Sequence, residues 1–260
     1  MQTIKVDLGK DWKFVNLYPI GDSHAGSAHF LKKELQKHID VIKNDNHAQV
    51  ILNGDLINNA IKTSVSDIYE EKLNPEEAID MLVDLFNPIK HKIIGVVNGN
   101  HENRTSKITG INILKNMCYR LGIMDYYHPI ANIIFLSFGE NRGRENVRNT
   151  FSIYHTHGSG GGRTVGSKTN NVHRLAQVIH ADVYIHSHTH TPLTFKEDYI
   201  VANCSNKGVK QVSRLFINTN AYEGFGGYGE IMKLPPSNHD PVKVVLTADE
   251  RGNKIMKGTV

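Results

Sequence analysis

The chain is predicted to fold as an α/β protein in which two packed β-sheets are flanked by helices. Three observations lead there. Strand-like and helix-like segments alternate over the first two-thirds of the 260 residues. From Pro192 onward the pattern changes to strands and turns. No internal repeat, low-complexity tract or linker divides the chain, so residues 1–260 read as one domain with a β-rich last third, about 192–260.

The elements follow in order. Residues 12–20 form an apolar stretch that ends in Gly21. Over 27–43, Leu31, Leu35, Ile39 and Ile42 recur at helical spacing, which predicts an amphipathic helix. Residues 49–52 (QVIL) have the pattern of a buried strand and run into Asn53-Gly54. Asn74-Pro75-Glu76-Glu77 is a helix start, with Asn as cap, Pro in the first turn and acids that favour the positive end of the helix dipole. Residues 93–97 form the next strand, before Asn98-Gly99, and a helix is expected around 111–121. Strands near 132–137 and 150–154, a helix over 171–181 and a strand over 182–185 complete the alternating part. The last third offers strands at 195–202, 210–218 and 242–248, separated by loops with Gly and Pro.

Composition narrows the classes. Apolar residues make up 39% and charged residues 22%, ordinary for a soluble globular protein, and no apolar run could span a bilayer. The opening MQTIKVDLGKDWKF has lysines but neither an apolar core nor a small-residue cleavage site, so no signal peptide is expected. Cys118 and Cys204 stand far apart with no CxxC pair, and read as buried small apolar residues of a reducing compartment. The expected location is the cytoplasm. A net charge of +4 suits an anionic substrate, without the dense Lys/Arg stripe of a dedicated nucleic-acid binder. Histidine, at 15, is the unusual count, and many of these residues cluster.

Five polar clusters fall just after predicted strands. Asp22 and His24 follow the first strand and Asp55 the second. Asn100 and His101 follow the third, His157 the strand through Tyr154, and His188 and His190 the strand through Ile185. Ligands of open α/β sheets bind outside the carboxyl ends of strands, so residues from five strand ends can converge there. In an extended chain residues i and i+2 point to one side, which would make Asp22/His24 and His188/His190 two-toothed clamps. Gly21, Gly54, Gly99 and Gly158 beside them permit sharp turns. A lone Asp-x-His would mean little; the ordered set is specific.

Taken in order, GDSH, NGD, GNHE, HG and SHTH resemble the signature blocks of the calcineurin-like metallophosphoesterase family, over residues 21–190. The family usually has Gly where Ser187 stands, a small change from which little effect on geometry is expected. The resemblance implies a four-layer α/β/β/α sandwich of two mixed sheets. It implies one metal held by Asp22, His24, Asp55 and His190, and another by Asp55, Asn100, His157 and His188, with Asp55 bridging. Two divalent ions less two carboxylates would leave a net positive site able to receive phosphate. Ligands of nitrogen and oxygen without thiolate suit Mn, Fe, Zn, Ni or Co, with Mn favoured. Two such ions, roughly 3.5–4 Å apart, would turn a bridging water into the attacking hydroxide and align an in-line displacement. His101 resembles the family's general acid for the departing alkoxide, although it could instead orient a ligand.

Neighbouring histidines compete. His155 shares the parity of His157, and the His-Gly step of the family block selects His157. Family spacing likewise favours His188 and His190, leaving His186 inside the sheet. His38, His47, His91, His173 and His180 have no cluster around them and read as surface or core residues. GSGGGRTVGSKTNN after His157 resembles a P-loop in outline, but Ser167 separates Gly166 from Lys168, which argues against one. The segment 158–168 reads either as a lid whose amides, Arg163 and Lys168 contact substrate phosphate, or as a surface loop. Glu102 and Arg104 would orient His101 or grip substrate, or else form a surface ion pair. Tyr222, Phe225 and Tyr228, in residues 221–230, would stack on bases or close the core. The expected partner is a phosphoester. Phosphodiesters from nucleotides or nucleic acid are slightly favoured over monoesters on account of the modest basicity and the loop cations. The competing reading is a non-catalytic scaffold of the same fold, against which the intact ligand set argues.

Overall fold

The computed structural model describes residues 1–62, 64, 68–140, 147–205, 207–226, 230 and 236–260. Its first strand, β1 (Gln2–Asp7), is not among those predicted. Only Ile4 of it is buried, between the exposed Thr3 and Lys5, as suits a sheet edge. The apolar stretch at 12–20 becomes β2 (Phe14–Ile20), buried from Val15 onward. α1 (Lys32–Asn44) starts later than its apolar spacing suggests, because the preceding turn is tied down: His29 N donates to Ser27 Oγ and Leu31 N to Tyr222 O. β3 (Ala48–Asn53) is buried throughout, the pattern of a strand covered on both faces. α2 (Pro75–Phe86) begins where predicted. The Asn74 side chain accepts from the amides of Glu76 and Glu77, and Glu77 accepts in return from Asn74 N.

β4 (Ile93–Val97) leads straight into α3 (Asn100–Thr109), a helix the apolar pattern does not announce, then α4 (Ile113–Leu121). β5 (Ala131–Phe138) and β6 (Asn149–Thr156) form an antiparallel pair. The helix expected over 171–181 is two: α5 (Val165–His173) and α6 (Leu175–Val178). Thr164 caps α5 by accepting from Ser167 N, so Lys168 sits on a helix and not in the glycine-rich loop. β7 (Val183–His186), β8 (Leu193–Asn203), β9 (Gly208–Asn218), β10 (Lys243–Ala248) and a further unpredicted edge strand, β11 (Lys254–Thr259), complete the chain.

These strands make two mixed sheets, ordered β1-β5-β6-β7-β9-β8 and β11-β10-β2-β3-β4. Leu17, Ile51 and Ile94 of the smaller sheet pack on Ile134, Ile153, Ile185 and Ile217 of the larger one. On the outer face of the smaller sheet, Val50 and Leu52 meet Leu35 and Ile39 of α1, Leu82 of α2 and Leu114 of α4. On the outer face of the larger, Tyr154, Tyr184 and Phe216 meet Val172 of α5 and Leu175 of α6. Each such buried side chain contributes ~1.5–3 kcal/mol, and together they hold the four layers α/β/β/α in register. Cys118 is buried as expected, whereas Cys204 is exposed, and both are free thiols. Among the described residues no helix is long and apolar enough to cross a membrane.

Candidate metal centre

The five strand-end clusters meet where the carboxyl ends of the two sheets adjoin. β2, β3 and β4 run parallel and deliver Asp22, His24, Asp55 and Asn100; β6 and β7 run parallel and deliver His157, His188 and His190. The loops are stitched together by backbone bonds. Asp22 N donates to Gly54 O (3.0 Å), His24 N to Asp55 O (3.0 Å) and Ser187 N to His157 O (3.0 Å). Across the sheets, His188 N donates to Asp22 Oδ2 (2.9 Å). The glycines allow this closeness: a Cβ on Gly99 would lie 2.0 Å from Asp55 Oδ1.

The two-toothed clamps do form, but not in extended chain. Asp22 (φ 50°), His24 (48°), Asp55 (47°), His188 (67°) and His190 (51°) all lie in the left-handed region. Each costs about 1–2 kcal/mol for a residue with a Cβ. Backbone strain of this kind is retained where the surrounding contacts impose it and concentrates at functional sites.

Asp22 and Asp55 are buried at the centre of this ring of side chains. Among the described residues Asp22 Oδ1 has no hydrogen-bond partner, and it stands 3.5 Å from His190 Nε2, 3.9 Å from His157 Nε2 and 4.0 Å from His24 Nε2. Asp55 Oδ2 is 3.1 Å from His157 Nε2, which is 3.2 Å from Asn100 Oδ1. His24 Nε2 and His190 Nε2 approach to 3.1 Å. Ligand atoms of Asp22, His24 and His190 fall within one metal-sized group, and those of Asp55, His157 and His188 within another. A third group joins His24, Asp55 and His101. A buried carboxylate oxygen ringed by imidazole nitrogens fits a divalent cation.

The electrostatics agree. Burial disfavours the charged forms of Asp22 and Asp55, but the adjoining imidazoles, His190 for Asp22 and His157 for Asp55, hold both carboxyls below their usual range. Reciprocally, burial opposes protonation of His157, yet Asp55 and Asp22 push it up to about 10, and Asp22 raises His190 in the same way. The centre draws positive charge to itself. His157 Nδ1 also donates to Asn53 O (2.8 Å), which turns Nε2 inward.

His101 lies beside this ring, with Nε2 3.8 Å from Asp55 Oδ2. Its Nδ1 donates to Asn58 O (2.6 Å), and its Nε2 accepts from Arg104 Nη2 (2.9 Å). These partners assign the neutral ring with its proton on Nδ1, and burial pushes its pKa down to about 3. Arg104 therefore touches His101, as one of the two readings expected. Glu102 does neither thing expected of it. It is fully buried and accepts from four backbone amides: Gly99 (2.7 Å), Asp55 (3.0 Å), Leu56 (2.7 Å) and Ile57 (3.1 Å). Burial and then the Asp55 carboxylate push its pKa up to about 7.

The competing histidines are separated by their partners. His155 is buried between Asn132 and Asn53, at 3.1 and 3.0 Å, and His186 bonds Asn218 (2.8 Å). Lys168 Nζ donates to Thr191 Oγ1 (2.5 Å), the residue after His190, while Arg163 is exposed. Tyr222 is buried against His38, Phe225 is exposed, and Tyr228 lies outside the described residues. Ser187 is fully buried, and its Oγ accepts from Asn53 Nδ2 (2.7 Å) and Thr219 Oγ1 (2.8 Å). Two residues of the site had no role in the sequence, and a third, Glu102, has a different one from those expected. Asn53 and Glu102 both stand in signature blocks, which is a signal; Glu223, which reaches the His24–His190 pair at 4.0 Å, carries none.

Comparison with known proteins follows this geometry. Among curated proteins no relative matches the chain. One similar solved structure is a conserved uncharacterized protein, titled a predicted phosphoesterase, from Streptococcus pneumoniae, at 14% identity and a TM-score of 0.36, covering 95% of this chain and 99% of that one. Another is a double mutant of Vps29 from Entamoeba histolytica, at 13% identity and a TM-score of 0.42, covering 95% and 98%. Both likenesses are too distant to bear on function. The calcineurin-like phosphoesterase family matches residues 17–192, a span that begins within β2, ends two residues past His190 and contains all five polar clusters, and the chain belongs to that family.

Proposed function

We propose that this chain hydrolyses phosphoesters, diesters ahead of monoesters, at a centre of two divalent ions. Asp22, His24, Asp55 and His190 would hold one ion, and Asp55, Asn100, His157 and His188 the other. The observation that carries this reading is Asp22 Oδ1, buried, without a hydrogen-bond partner among the described residues and faced by three imidazoles. When bound, the ions supply an acidified water and polarise the phosphoryl oxygens; the nitrogen and oxygen donors suit Mn, Fe, Zn, Ni or Co, with Mn first.

The chain's own residues bind and orient. Asn53 O fixes the His157 ring, and Glu102 holds the Asp55 loop by its amides. Arg104 stands against His101 and Lys168 beside Thr191, and both offer cations to a phosphate. In its present pairing His101 has no proton on Nε2 to give. A substrate phosphate that draws Arg104 away would free that nitrogen to take a proton from solvent and pass it to the leaving oxygen, which returns the ring to its neutral Nδ1–H form.

The test is metal-stripped protein supplied with Mn, Zn or Ni and assayed on bis-p-nitrophenyl phosphate, p-nitrophenyl phosphate, cyclic nucleotides, DNA and RNA. Metal-dependent turnover with diesters ahead is expected, and Asp55→Asn should abolish it without unfolding the chain. Metal-dependent turnover of no ester would leave the scaffold reading. On the same panel His101→Ala should slow esters with poor leaving groups and spare p-nitrophenyl esters; equal losses would remove the acid role.

A further inference from the structure

One carboxylate beside the centre belongs to none of the five signature blocks. Glu223 lies on a short extended segment pinned from both sides. Tyr222 N donates to Asp22 O (2.9 Å), Leu31 N to Tyr222 O (2.8 Å) and Gly224 N to His29 O (2.8 Å). Glu223 itself forms an antiparallel bridge with Phe30. Its backbone is thereby locked to the loop that carries Asp22 and His24. Its Oε1 accepts from Ser27 Oγ (3.0 Å), which fixes the carboxylate plane. The other oxygen, Oε2, stands 4.0 Å from His190 Nδ1 and 4.0 Å from His24 Nε2.

The two nitrogens of His190 thus face different partners. Nε2 turns inward, 3.1 Å from His24 Nε2 and 3.5 Å from Asp22 Oδ1, and Nδ1 turns toward Glu223. A metal-ligating histidine that gives its second N–H to a carboxylate has its tautomer and ring orientation set and its basicity raised. At 4.0 Å the pair is longer than a hydrogen bond, and the ring must close on the carboxylate for the N–H to be shared. The other carboxylate near this loop, Glu71, is already engaged with Asn58 Nδ2 and Ala60 N.

We propose that Glu223 is a positioning carboxylate of the metal centre, taking the Nδ1–H of His190 so that Nε2 is presented to the ion shared with Asp22 and His24. The inference rests on the two-ion reading above. It also places one more negative charge beside that ion, which strengthens its hold on a cation.

The test is calorimetric titration of Mn(II) into metal-stripped protein, for the parent, Glu223→Gln and Glu223→Asp, alongside the thermal midpoint of each metal-free protein. The parent is expected to take up two ions. Glu223→Gln, whose amide oxygen can still accept from Ser27, should weaken one of the two sites about tenfold to a hundredfold and leave the other unchanged. Its metal-free midpoint should match the parent, and Glu223→Asp should recover part of the loss. Parental affinity at both sites in Glu223→Gln would overturn the proposal, as would a loss that only follows a fall in the metal-free midpoint. A parent that takes up no pair of ions would overturn both this inference and the two-ion reading. A parent that takes up two ions yet cuts no ester would remove only the catalytic reading, and the weakened site in Glu223→Gln would still support this one.

Discussion

Glu102→Gln is a change of one atom at the most heavily bonded side chain beside the centre. Oε2 accepts from Asp55 N (3.0 Å) and Gly99 N (2.7 Å), and Oε1 from Leu56 N (2.7 Å) and Ile57 N (3.1 Å). All four partners are donors. Whichever way the glutamine amide turns, its NH2 meets two backbone N–H groups that it cannot accept from. Two hydrogen bonds to a charged acceptor are lost, at ~1.5–3 kcal/mol each, so the variant should lose about 3–6 kcal/mol. That is a large share of the ~5–15 kcal/mol by which a domain is stable. Urea unfolding of the metal-free protein at pH 8 measures it, since a carboxyl lifted to about 7 is ionised there. If the helix α3 yields locally instead, the Asp55 loop loosens and metal affinity falls while the global midpoint holds. A variant within about 1 kcal/mol of the parent, with parental metal affinity, would refute the clamp.

Three further outcomes follow from the same geometry. Because His157 is raised to about 10 and His190 is raised also, an entering cation must displace protons, so metal affinity should climb with pH, about tenfold per unit for each proton released. By the same sign, the stability His157 lends the metal-free protein is full below 6.5 and is lost as pH rises toward 10; titration calorimetry in buffers of different protonation enthalpy counts the protons, and flat affinity between pH 6 and 8 would exclude the linkage. Ser187→Gly, which restores the family's usual residue, should cost about 1–3 kcal/mol in urea unfolding by leaving the Asn53 amide and Thr219 hydroxyl donors unpaired, with metal affinity unchanged. An unchanged midpoint would show that these donors find other acceptors.

The chemistry of the centre is local in sequence and its positioning is not, which decides what could be read in advance. Asp22, His24, Asp55, Asn100, His157, His188 and His190 each stand just past an apolar run, and their convergence follows from parallel strands ending at one edge. Interior strands and amphipathic helices were legible for the same reason, since burial writes itself into apolar pattern. The edge strands β1 and β11 were not: a half-covered strand with lysines and few buried residues resembles a loop. The parity argument for the clamps foresaw a shared side but assumed extended chain, whereas bonds from Asp22 and His24 to Gly54 and Asp55 hold both residues in the left-handed region. Parity also could not separate His155 from His157, because what separates them is one distant residue. Asn53 accepts from His155 Nδ1 through its side chain and from His157 Nδ1 through its carbonyl, and its amide donates to Thr156 O and Ser187 Oγ. A single asparagine at the end of β3 therefore ties the smaller sheet to β6 and to the loop after β7, and turns one histidine into the core and the next into the centre. Glu102 acts in the same manner across 47 residues, and Glu223 reaches back from the far side of the chain. A motif supplies the groups that can hold an ion, and buried bonds between remote segments decide which atoms of those groups face it.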